Sequence, residues 1–437
     1  MAETTLPVFT CVLKPLWRAG RSVEDLATAC VAAVLGTEFR QWTETTLQMM
    51  FNKSPMTYLK YHLSMLTDHA RVDAYRQAIF DTVRPGDIVL DIGTGTGILS
   101  LFACQAGARR VYAIEAGRII EAARAVCKQN GFDDRVVFMQ ELSTKVELPE
   151  RADVLITETI GNFGLEESIL GYVRDARQRL LKDDARILPA SLALHVVPLE
   201  APQLHAAIDS WNQPIAGLDF SSVRPLVVNN PHWVKLDAAW MLGQPAQLCK
   251  IDLACATSKD ICASTTCTVT KYGTLHGLGG WFSADLSGAG TAVISNPPST
   301  ETSWSHAFLP FETPWDMEPG DTIEITLRTA ADATVWQWRG TCRRRSAATG
   351  ATSEVARFNQ SSFLGQMMPV GGLRRLSETH CPQLTEQGCI DQFILQMIDG
   401  SSSLKEIAQQ AAARFPGVFS DPGKALERAR LVSQRYA

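Results

Sequence analysis

A glycine-rich turn beside an acidic residue is the part of the sequence with the most specific chemistry. Residues 89–101 read V-L-D-I-G-T-G-T-G-I-L-S-L, in which Asp91 precedes the alternating glycines Gly93, Gly95 and Gly97. Glycine lets the backbone approach a ligand closely, and the N–H groups at the start of a helix point toward a bound group. The segment therefore predicts a nucleotide-binding turn between a buried strand and a helix.

The glycine spacing and a second acidic residue indicate which nucleotide is bound. The dinucleotide fingerprint is G-x-G-x-x-G and the phosphate loop ends in G-K-[ST], whereas this turn is G-x-G-x-G and contains no lysine. Glu115 follows an apolar run over residues 111–114, and a carboxylate at such a strand end can accept both ribose hydroxyls. S-adenosylmethionine has an amino-acid group and no phosphates, so we predict it as the cofactor.

The elements that position these residues alternate between strand and helix. Short apolar runs lie at residues 88–90, 111–114, 136–139 and 154–156. Strands that alternate with helices in this way predict a doubly wound, parallel α/β sheet, whose ligands bind beyond the carboxyl ends of the strands. Glu158 comes just after the fourth run, so we place it at that edge, and Glu167 follows in the same loop.

A helical stretch precedes the first strand. Residues 58–82 are amphipathic and carry His62, Asp68 and Arg71. One interpretation is a surface helix whose charges are solvated. The other is a helix that folds back over the donor pocket, where an arginine can pair bidentately with the donor's carboxylate.

The remaining segments predict further domains. Residues 1–57 are predicted to be an N-terminal helical segment and residues 58–190 the methyl-donor domain. Short alternating runs separated by Gly, Pro and Asn over residues 191–345 are typical of a β-barrel. Residues 346–353 read as a linker, and residues 354–437 are predicted to form a small α-helical domain.

The ordered motifs resemble those of the protein arginine methyltransferases over roughly residues 58–345. In that family a helix M-L-x-D-x-x-R precedes V-L-D-x-G-x-G-T-G, and a hairpin loop carries two glutamates nine residues apart. The matching residues are Met65, Leu66, Asp68 and Arg71, then residues 89–97, then Glu158 and Glu167. Residues 211–220 resemble the family's helical dimerisation arm, and residues 275–282 and 302–311 resemble the barrel strands around its Thr-His-Trp loop.

The resemblance implies a Rossmann-like sheet followed by a β-barrel, a homodimer formed through an arm at about residues 200–235, and a set of site residues. It implies that Glu158 and Glu167 are catalytic. The implied donor-binding residues are His62, Met65, Arg71, Asp91, Gly93, Gly95, Gly97, Glu115 and, on the adenine side, Glu141.

Three positions depart from the family pattern. Ser303 stands where the Thr-His-Trp loop has its histidine, and the nearest histidine is His306. Residues 51–56 replace the aromatic Y-F-x-x-Y element. The adenine-side glutamate has no counterpart in register at residues 142–144, which leaves Glu141 just upstream.

The C-terminal segment lies outside this resemblance. Its three predicted helices, with D-G-S-S-S-L-K-E-I-A between the first two, resemble the small peptide-binding domain of pyrroloquinoline-quinone biosynthesis, a winged-helix-like module. That module recognises leader peptides of ribosomally made natural products. The alternative is a generic three-helix tail that packs on the barrel.

Composition limits the classes of partner. With 437 residues, 46% hydrophobic residues, a net charge of −5 and no extended basic block, the chain predicts a multidomain soluble protein without a nucleic-acid partner. No apolar run approaches the length of a membrane span, and no signal peptide is evident, which predicts a cytoplasmic location. Eleven cysteines without a C-x-x-C pair favour buried free thiols over a zinc site.

These observations predict a SAM-dependent N-methyltransferase, and three hypotheses for its acceptor stay open. The first is an arginine or another nitrogen in a precursor peptide held by the C-terminal domain. The second is arginine in ordinary proteins, with that domain merely structural. The third is a scaffold that binds the donor and a partner without turnover.

Overall fold

The structure, a computed structural model, describes residues 55–330, 332–346, 349–367, 380–419 and 421–436. The predicted N-terminal segment, residues 1–57, therefore lies almost entirely outside the described residues. The chain divides into a first unit that ends at Met368 and a second unit that begins at Pro369.

A parallel sheet forms the beginning of the first unit. Its strands are β1 (Ile88–Ile92), β2 (Arg110–Ile114), β3 (Val136–Met139), β4 (Ala152–Thr157) and β5 (Leu181–Leu188). They are ordered β3-β2-β1-β4-β5, and the central strand β1 is buried along its whole length. The predicted doubly wound α/β fold is confirmed, because continuous apolar runs suit strands that are covered on both faces.

Five helices precede or connect these strands in the described part of the unit. They are α1 (Pro55–Leu66), α2 (His69–Thr82), α3 (Ile98–Gln105), α4 (Ile120–Gln129) and α5 (Ile169–Arg179). The single helical stretch predicted at residues 58–82 is in fact two helices. Asp68 separates them because its carboxylate accepts the backbone N–H of Arg71 at 3.2 Å and caps α2.

Antiparallel strands form the rest of the first unit. They are β6 (Ser191–Leu199), β7 (His232–Val234), β8 (Ala246–Asp252), β9 (Cys262–Thr268), β10 (Gly273–Asp285), β11 (Val293–Ser295), β12 (His306–Met317), β13 (Thr322–Ala330), β14 (Val335–Arg345) and β15 (Thr352–Ser361). One sheet runs β7-β12-β10-β6-β8 with β11 beside β10, and the other runs β15-β14-β13-β9. Phe311 and Phe358 stack between them with ring centroids 4.1 Å apart, next to the fully buried Trp338.

The predicted arm, residues 200–235, leaves this antiparallel region after β6. It contains the short helices α6 (Pro202–Asp209) and α7 (Arg224–Val228), which a salt bridge of 2.8 Å between Asp209 and Arg224 holds together. Between the two helices, Ile215, Leu218 and Phe220 expose 48%, 63% and 36% of their surface.

Residues 354–361, predicted to lie in the C-terminal domain, belong instead to the last strand of the first unit. β15 pairs with β14, and Ala356, Phe358 and Gln360 are buried at every second position. This period-2 burial is what a strand packed on one face requires. Of the stretch predicted as a linker, residues 347 and 348 lie outside the described residues, and Thr352 and Ser353 belong to β15.

The second unit contains α8 (Glu386–Gln396), α9 (Leu404–Arg414) and α10 (Pro422–Tyr436). Its own core includes Ile390, Ile394, Ile407, Ala411 and Val432. Ser403 and Glu406 form a capping box at the start of α9. Asp391 of α8 accepts two hydrogen bonds from Arg428 of α10, at 2.7 and 2.5 Å, so an ion pair joins the outer helices.

No helix within the described ranges has both the length and the apolarity that crossing a membrane requires.

Candidate active site

The glycine turn lies at the carboxyl end of β1 and leads into α3. Gly93, Gly95 and Gly97 have φ angles of +75°, +56° and +88°, which side-chain-bearing residues rarely adopt. A Cβ atom on Gly93 would lie 2.9 Å from the side chain of Thr159, and one on Gly97 would lie 3.2 Å from that of Ala123. Backbone conformation and close packing therefore both require glycine in this turn.

Asp91 stabilises the turn through hydrogen bonds to its carboxylate. The carboxylate is fully buried, and its Oδ2 accepts hydrogen bonds from the hydroxyls of Thr94 at 2.7 Å and Ser100 at 2.6 Å. None of the described residues donates a hydrogen bond to its Oδ1. Burial raises the pKa of Asp91, and the two hydroxyl donors oppose that rise.

Glu115 follows β2 and reaches across to the glycine turn. Its Oε2 accepts the backbone N–H of Gly95 at 3.1 Å, and its Oε1 accepts that of Gly117 at 2.7 Å. Burial raises the pKa of Glu115, against the effect of these two N–H donors. The carboxylate thus lies beside the turn at the edge where a ligand of a parallel sheet binds.

Glu141 follows β3 at the same edge but is more open to solvent. Its Oε1 accepts the N–H of its neighbour Leu142 at 2.8 Å and lies 3.9 Å from the Nζ of Lys145. The structure therefore places Asp91 near the end of β1, and Glu115 and Glu141 just after the adjacent strands β2 and β3. Asp91 is buried, Glu115 is half-buried and Glu141 is exposed.

The helices before the sheet approach this edge through His62 and Arg71. A Cβ atom on Gly95 would lie 3.5 Å from the imidazole of His62, so this side chain lies against the glycine turn. Burial lowers the pKa of His62, and the charge of Arg71 lowers it further. The carbonyl of Met65 accepts a hydrogen bond from Nη1 of Arg71 at 3.4 Å, which ties the end of α1 to that guanidinium.

Arg71 forms a largely buried ion pair with Glu158. Their side chains are 13% and 9% exposed, and the guanidinium lies 5.2 Å from the ring centroid of Trp304. The sequence predicts that Arg71 pairs with the donor's carboxylate. In this structure it pairs with the first of the two predicted catalytic glutamates, 87 positions along the chain.

Glu158 and Glu167 are the two ends of one hairpin loop. Burial raises the pKa of Glu158, and Arg71 works against that rise. Glu167 is exposed to solvent at the other end of the loop, and desolvation by the adjoining protein together with the charge of Glu158 raises its pKa. Two carboxylates that repel each other in a partly dry cleft favour a cation between them.

A loop of the antiparallel region, which contains Ser303, contacts the start of α2. The backbone N–H of Ser303 donates to Oδ2 of Asp68 at 2.7 Å, so the residue in the place of the family's histidine contacts the helix through its main chain. His306 does not substitute for that histidine. It is buried within the antiparallel sheet, where its Nδ1 accepts the N–H of Leu236 at 3.0 Å.

Two residues of the hairpin loop were missed in the sequence. Asn162 holds the loop against the antiparallel region, because its Oδ1 accepts the N–H of Ser305 at 2.7 Å and its carbonyl accepts the side chain of Asn296 at 3.0 Å. Glu166 accepts the N–H groups of two residues of the same loop. The signal available in the sequence was the pair Glu166-Glu167, which places a second carboxylate directly beside the predicted catalytic one.

Comparison with family models gives matches over both halves of the first unit. The arginine methyltransferase oligomerization subdomain matches residues 190–337. The model of ribosomal protein L11 methyltransferase (PrmA) matches residues 68–176.

Comparison with individual proteins gives matches over about three fifths of the chain. The chain is similar to protein arginine N-methyltransferase 6 of Danio rerio, with 31% identity over 277 residues that cover 60% of this chain and 79% of that protein. It is similar to the probable protein arginine N-methyltransferase 6 of Arabidopsis thaliana, with 32% identity over 63% of this chain and 66% of that protein. Among solved structures, it resembles the Trypanosoma brucei PRMT1 enzyme–prozyme heterotetrameric complex with AdoHcy, with a TM-score of 0.60, 25% identity, and coverage of 68% of this chain and 97% of that one.

Proposed function

Because this chain belongs to the protein arginine N-methyltransferase family, and S-adenosylmethionine is its methyl donor, we propose that it methylates the guanidinium of arginine side chains in a protein or peptide. The observation that carries this proposal is that Glu158 already binds a guanidinium, that of Arg71, at the carboxyl edge of the sheet. An acceptor guanidinium needs the same kind of partner, because its planar fork of donors fits a carboxylate.

The donor-side residues fit a ligand that has hydroxyls and an amino-acid group. Glu115 has lone pairs left for the ribose hydroxyls after it accepts two N–H groups. Arg71 is paired with Glu158, and its guanidinium has further N–H donors for the carboxylate of the donor. His62 of α1 lies against the glycine turn, and we assign Met65 of the same helix to the donor site with it. The donor supplies an electrophilic methyl group on a sulfonium sulfur.

The two glutamates bind and orient the acceptor. Glu158 and Glu167 each accept hydrogen bonds from the guanidinium, which turns one of its nitrogens toward the methyl group, and alignment is the main contribution to an in-line displacement. After the transfer, the methylated nitrogen has one proton too many. Its neighbour Glu167, whose pKa is raised, can accept that proton at a carboxylate oxygen.

The test replaces each glutamate by its isosteric amide. We expect Glu158→Gln and Glu167→Gln to lose at least about 100-fold in kcat, the size of a general-base effect, measured by mass spectrometry of arginine peptides with isotope-labelled donor. Donor affinity should stay within a few-fold of the native value for Glu167→Gln. Glu121→Gln, at an exposed glutamate of α4, is the control. Full activity in both hairpin variants would eliminate the guanidinium clamp.

We also propose that the protein is a homodimer joined through the arm. The family model that covers residues 190–337 describes an oligomerization subdomain. In this chain the arm exposes Ile215, Leu218 and Phe220, and apolar side chains of this size are suitable anchors for a partner surface. The partner surface belongs to a second copy of the chain.

A finer proposal concerns the second unit. We propose that it holds a segment of the acceptor, since it has its own hydrophobic core and capped helices. A short flexible tether gives an effective concentration on the order of mM, so a held acceptor would be methylated as if intramolecularly. The alternative, ordinary proteins as acceptors with a structural second unit, agrees better with the names of the similar proteins.

Deletion of residues 369–437 separates these two acceptor classes. If the unit holds a leader-like segment, the deletion raises the apparent KM for a long peptide that carries the segment, and the KM for a short peptide without it does not change. Equal KM values for the long peptide with both proteins would contradict the tether. They would favour acceptors that bind only at the hairpin loop.

A further inference from the structure

The hairpin loop that carries the two acceptor glutamates contains a third glutamate with a different environment. Glu166 points back into its own loop. Its Oε1 accepts the backbone N–H of Phe163 at 2.7 Å, and its Oε2 accepts that of Leu165 at 3.0 Å. One carboxylate therefore satisfies two main-chain donors at the tip of the loop.

The loop backbone is built around this carboxylate. Gly161 has a φ of +78°, and a Cβ atom there would lie 2.5 Å from Oε2 of Glu166. Gly164 and Ser168 also have positive φ angles, of +93° and +62°. Glycine adopts positive φ angles at little cost, so the two glycines permit this turn, and only Ser168 at its end carries the cost of a left-handed conformation.

The outer side of the same loop is fixed by the antiparallel region, through the bonds of Asn162 to Ser305 and Asn296. Glu166 supplies the corresponding hydrogen bonds on the inner side. Glu158 precedes and Glu167 follows the stretch of the loop that carries these two sets of hydrogen bonds. The relative position of the acceptor carboxylates therefore depends on the fold of the residues between them.

We propose that Glu166 is a positioning residue of the acceptor clamp, whose two carboxyl oxygens accept main-chain N–H groups and so fold the hairpin with Glu158 and Glu167 facing one acceptor. This proposal rests on the proposed function for its effect on turnover. The folding of the loop itself does not depend on the identity of the acceptor.

The charge state of Glu166 makes this role dependent on pH. Burial raises the pKa of Glu166 to about 7, and the two accepted N–H groups oppose the rise. The charged group beside it is Glu167, its sequence neighbour, which in turn interacts with Glu158, Arg71 and Glu115. Because the pKa is raised, the buried charge itself costs free energy, and Glu166 takes up a proton as the pH falls through about 7. Protonation turns one of its two oxygens into a hydroxyl, which is a poor acceptor for the main-chain N–H that it faces.

Two substitutions at this position give a graded test. In Glu166→Gln one acceptor oxygen becomes an NH2 group that faces a main-chain N–H, whereas Glu166→Ala removes both acceptors. We expect kcat to fall about tenfold in the amide and further in the alanine variant, with donor affinity from calorimetry within twofold of native. Glu147→Gln, at an exposed glutamate that follows β3, is the control and should keep native kcat.

Hydrogen–deuterium exchange reports on the loop independently of turnover. Peptides that span residues 159–167 should exchange at least tenfold faster in Glu166→Gln than in the native protein, and peptides of the glycine turn should not change. Gly161→Ala keeps Glu166 but displaces its carboxylate, so it should accelerate the same peptides. If the alanine variant unfolds, the isosteric amide and Gly161→Ala still provide the comparison.

The pH profile separates positioning from a general loss of structure. With saturating acceptor, the bound guanidinium keeps Glu158 and Glu167 ionised, so kcat of the native protein should fall with a midpoint near pH 7. Glu166→Gln should lack this step. Native exchange and native kcat in Glu166→Gln would overturn the proposal. Faster exchange together with full activity in Glu158→Gln and Glu167→Gln would reject the guanidinium clamp and leave the fold of the loop as assigned.

Discussion

Removal of the Glu115 carboxylate should weaken donor binding by orders of magnitude while the sheet stays folded. Both oxygens of Glu115 already accept a main-chain N–H, from Gly95 and Gly117. A carboxylate has about four lone-pair sites, so about two remain for the ribose hydroxyls of the donor. The alanine variant loses these two bonds. Gly95 is partly exposed, so water can reach its N–H in the variant, whereas Gly117 is buried and its N–H loses its acceptor.

The magnitude follows from the charge on the acceptor. Hydrogen bonds to an ionised group contribute about 1.5–3 kcal/mol each, so two bonds contribute about 3–6 kcal/mol. Since about 1.4 kcal/mol corresponds to a factor of ten, we expect Kd to rise roughly 100- to 10,000-fold in Glu115→Ala. Glu115→Gln keeps one acceptor oxygen and should lie between the native and alanine proteins.

Calorimetry with S-adenosylhomocysteine measures this effect, because the compound has the ribose and the amino-acid group but no methyl to transfer. Glu121→Ala, at an exposed glutamate of the next helix, is the matched control and should bind as the native protein does. Thermal unfolding without ligand verifies that the variant is folded. A folded Glu115→Ala protein with a Kd within twofold of native would remove Glu115 from the donor site.

Three further predictions concern the arm, the ion pair and the acceptor. Leu218→Asp combined with Phe220→Asp should convert a dimer to a monomer in sedimentation at micromolar concentration. The control is Tyr272→Asp, at a side chain 74% exposed in the antiparallel region, which should leave the dimer intact. A native protein that sediments as a monomer would contradict the role of the arm. Arg71→Gln removes the charge that opposes the raised pKa of Glu158, so the acid limb of kcat/KM should move to higher pH, and an unmoved limb would mean that the pair does not control Glu158. Because the pKa of Glu167 is raised by the surrounding protein and Glu158, its charge is lost as the pH falls, and KM for an arginine peptide should then rise; a pH-independent KM would indicate that Glu167 does not bind the cation.

Local features of this protein could be predicted from the sequence because they depend on neighbouring residues. The glycine turn is one of them: the positive φ angles of Gly93, Gly95 and Gly97 are conformations that glycine alone adopts easily, so the residue types specify the turn. The apolar runs specify buried parallel strands for a similar reason, and the edge of the sheet then places Glu115 and Glu158 on one side.

Contacts between distant segments had no such local signal. Arg71 pairs with Glu158 rather than remaining free for a carboxylate, and Asp68 accepts the N–H of Ser303, 235 positions away. The sequence predicts that the residues of β15 begin a separate domain, whereas in the structure they pair with the edge of β14. In the sequence Glu166 and Glu167 are two adjacent glutamates with nothing to tell them apart. In the folded loop Glu166 accepts main-chain N–H groups, whereas Glu167 is exposed to solvent. Side-chain types and spacing determined which groups reach the edge of the sheet. The packing of the helices and the antiparallel region against that edge decided which of them meet, because the hydrogen bonds and ion pairs of a cleft form only where tertiary structure brings their partners within about 3 Å.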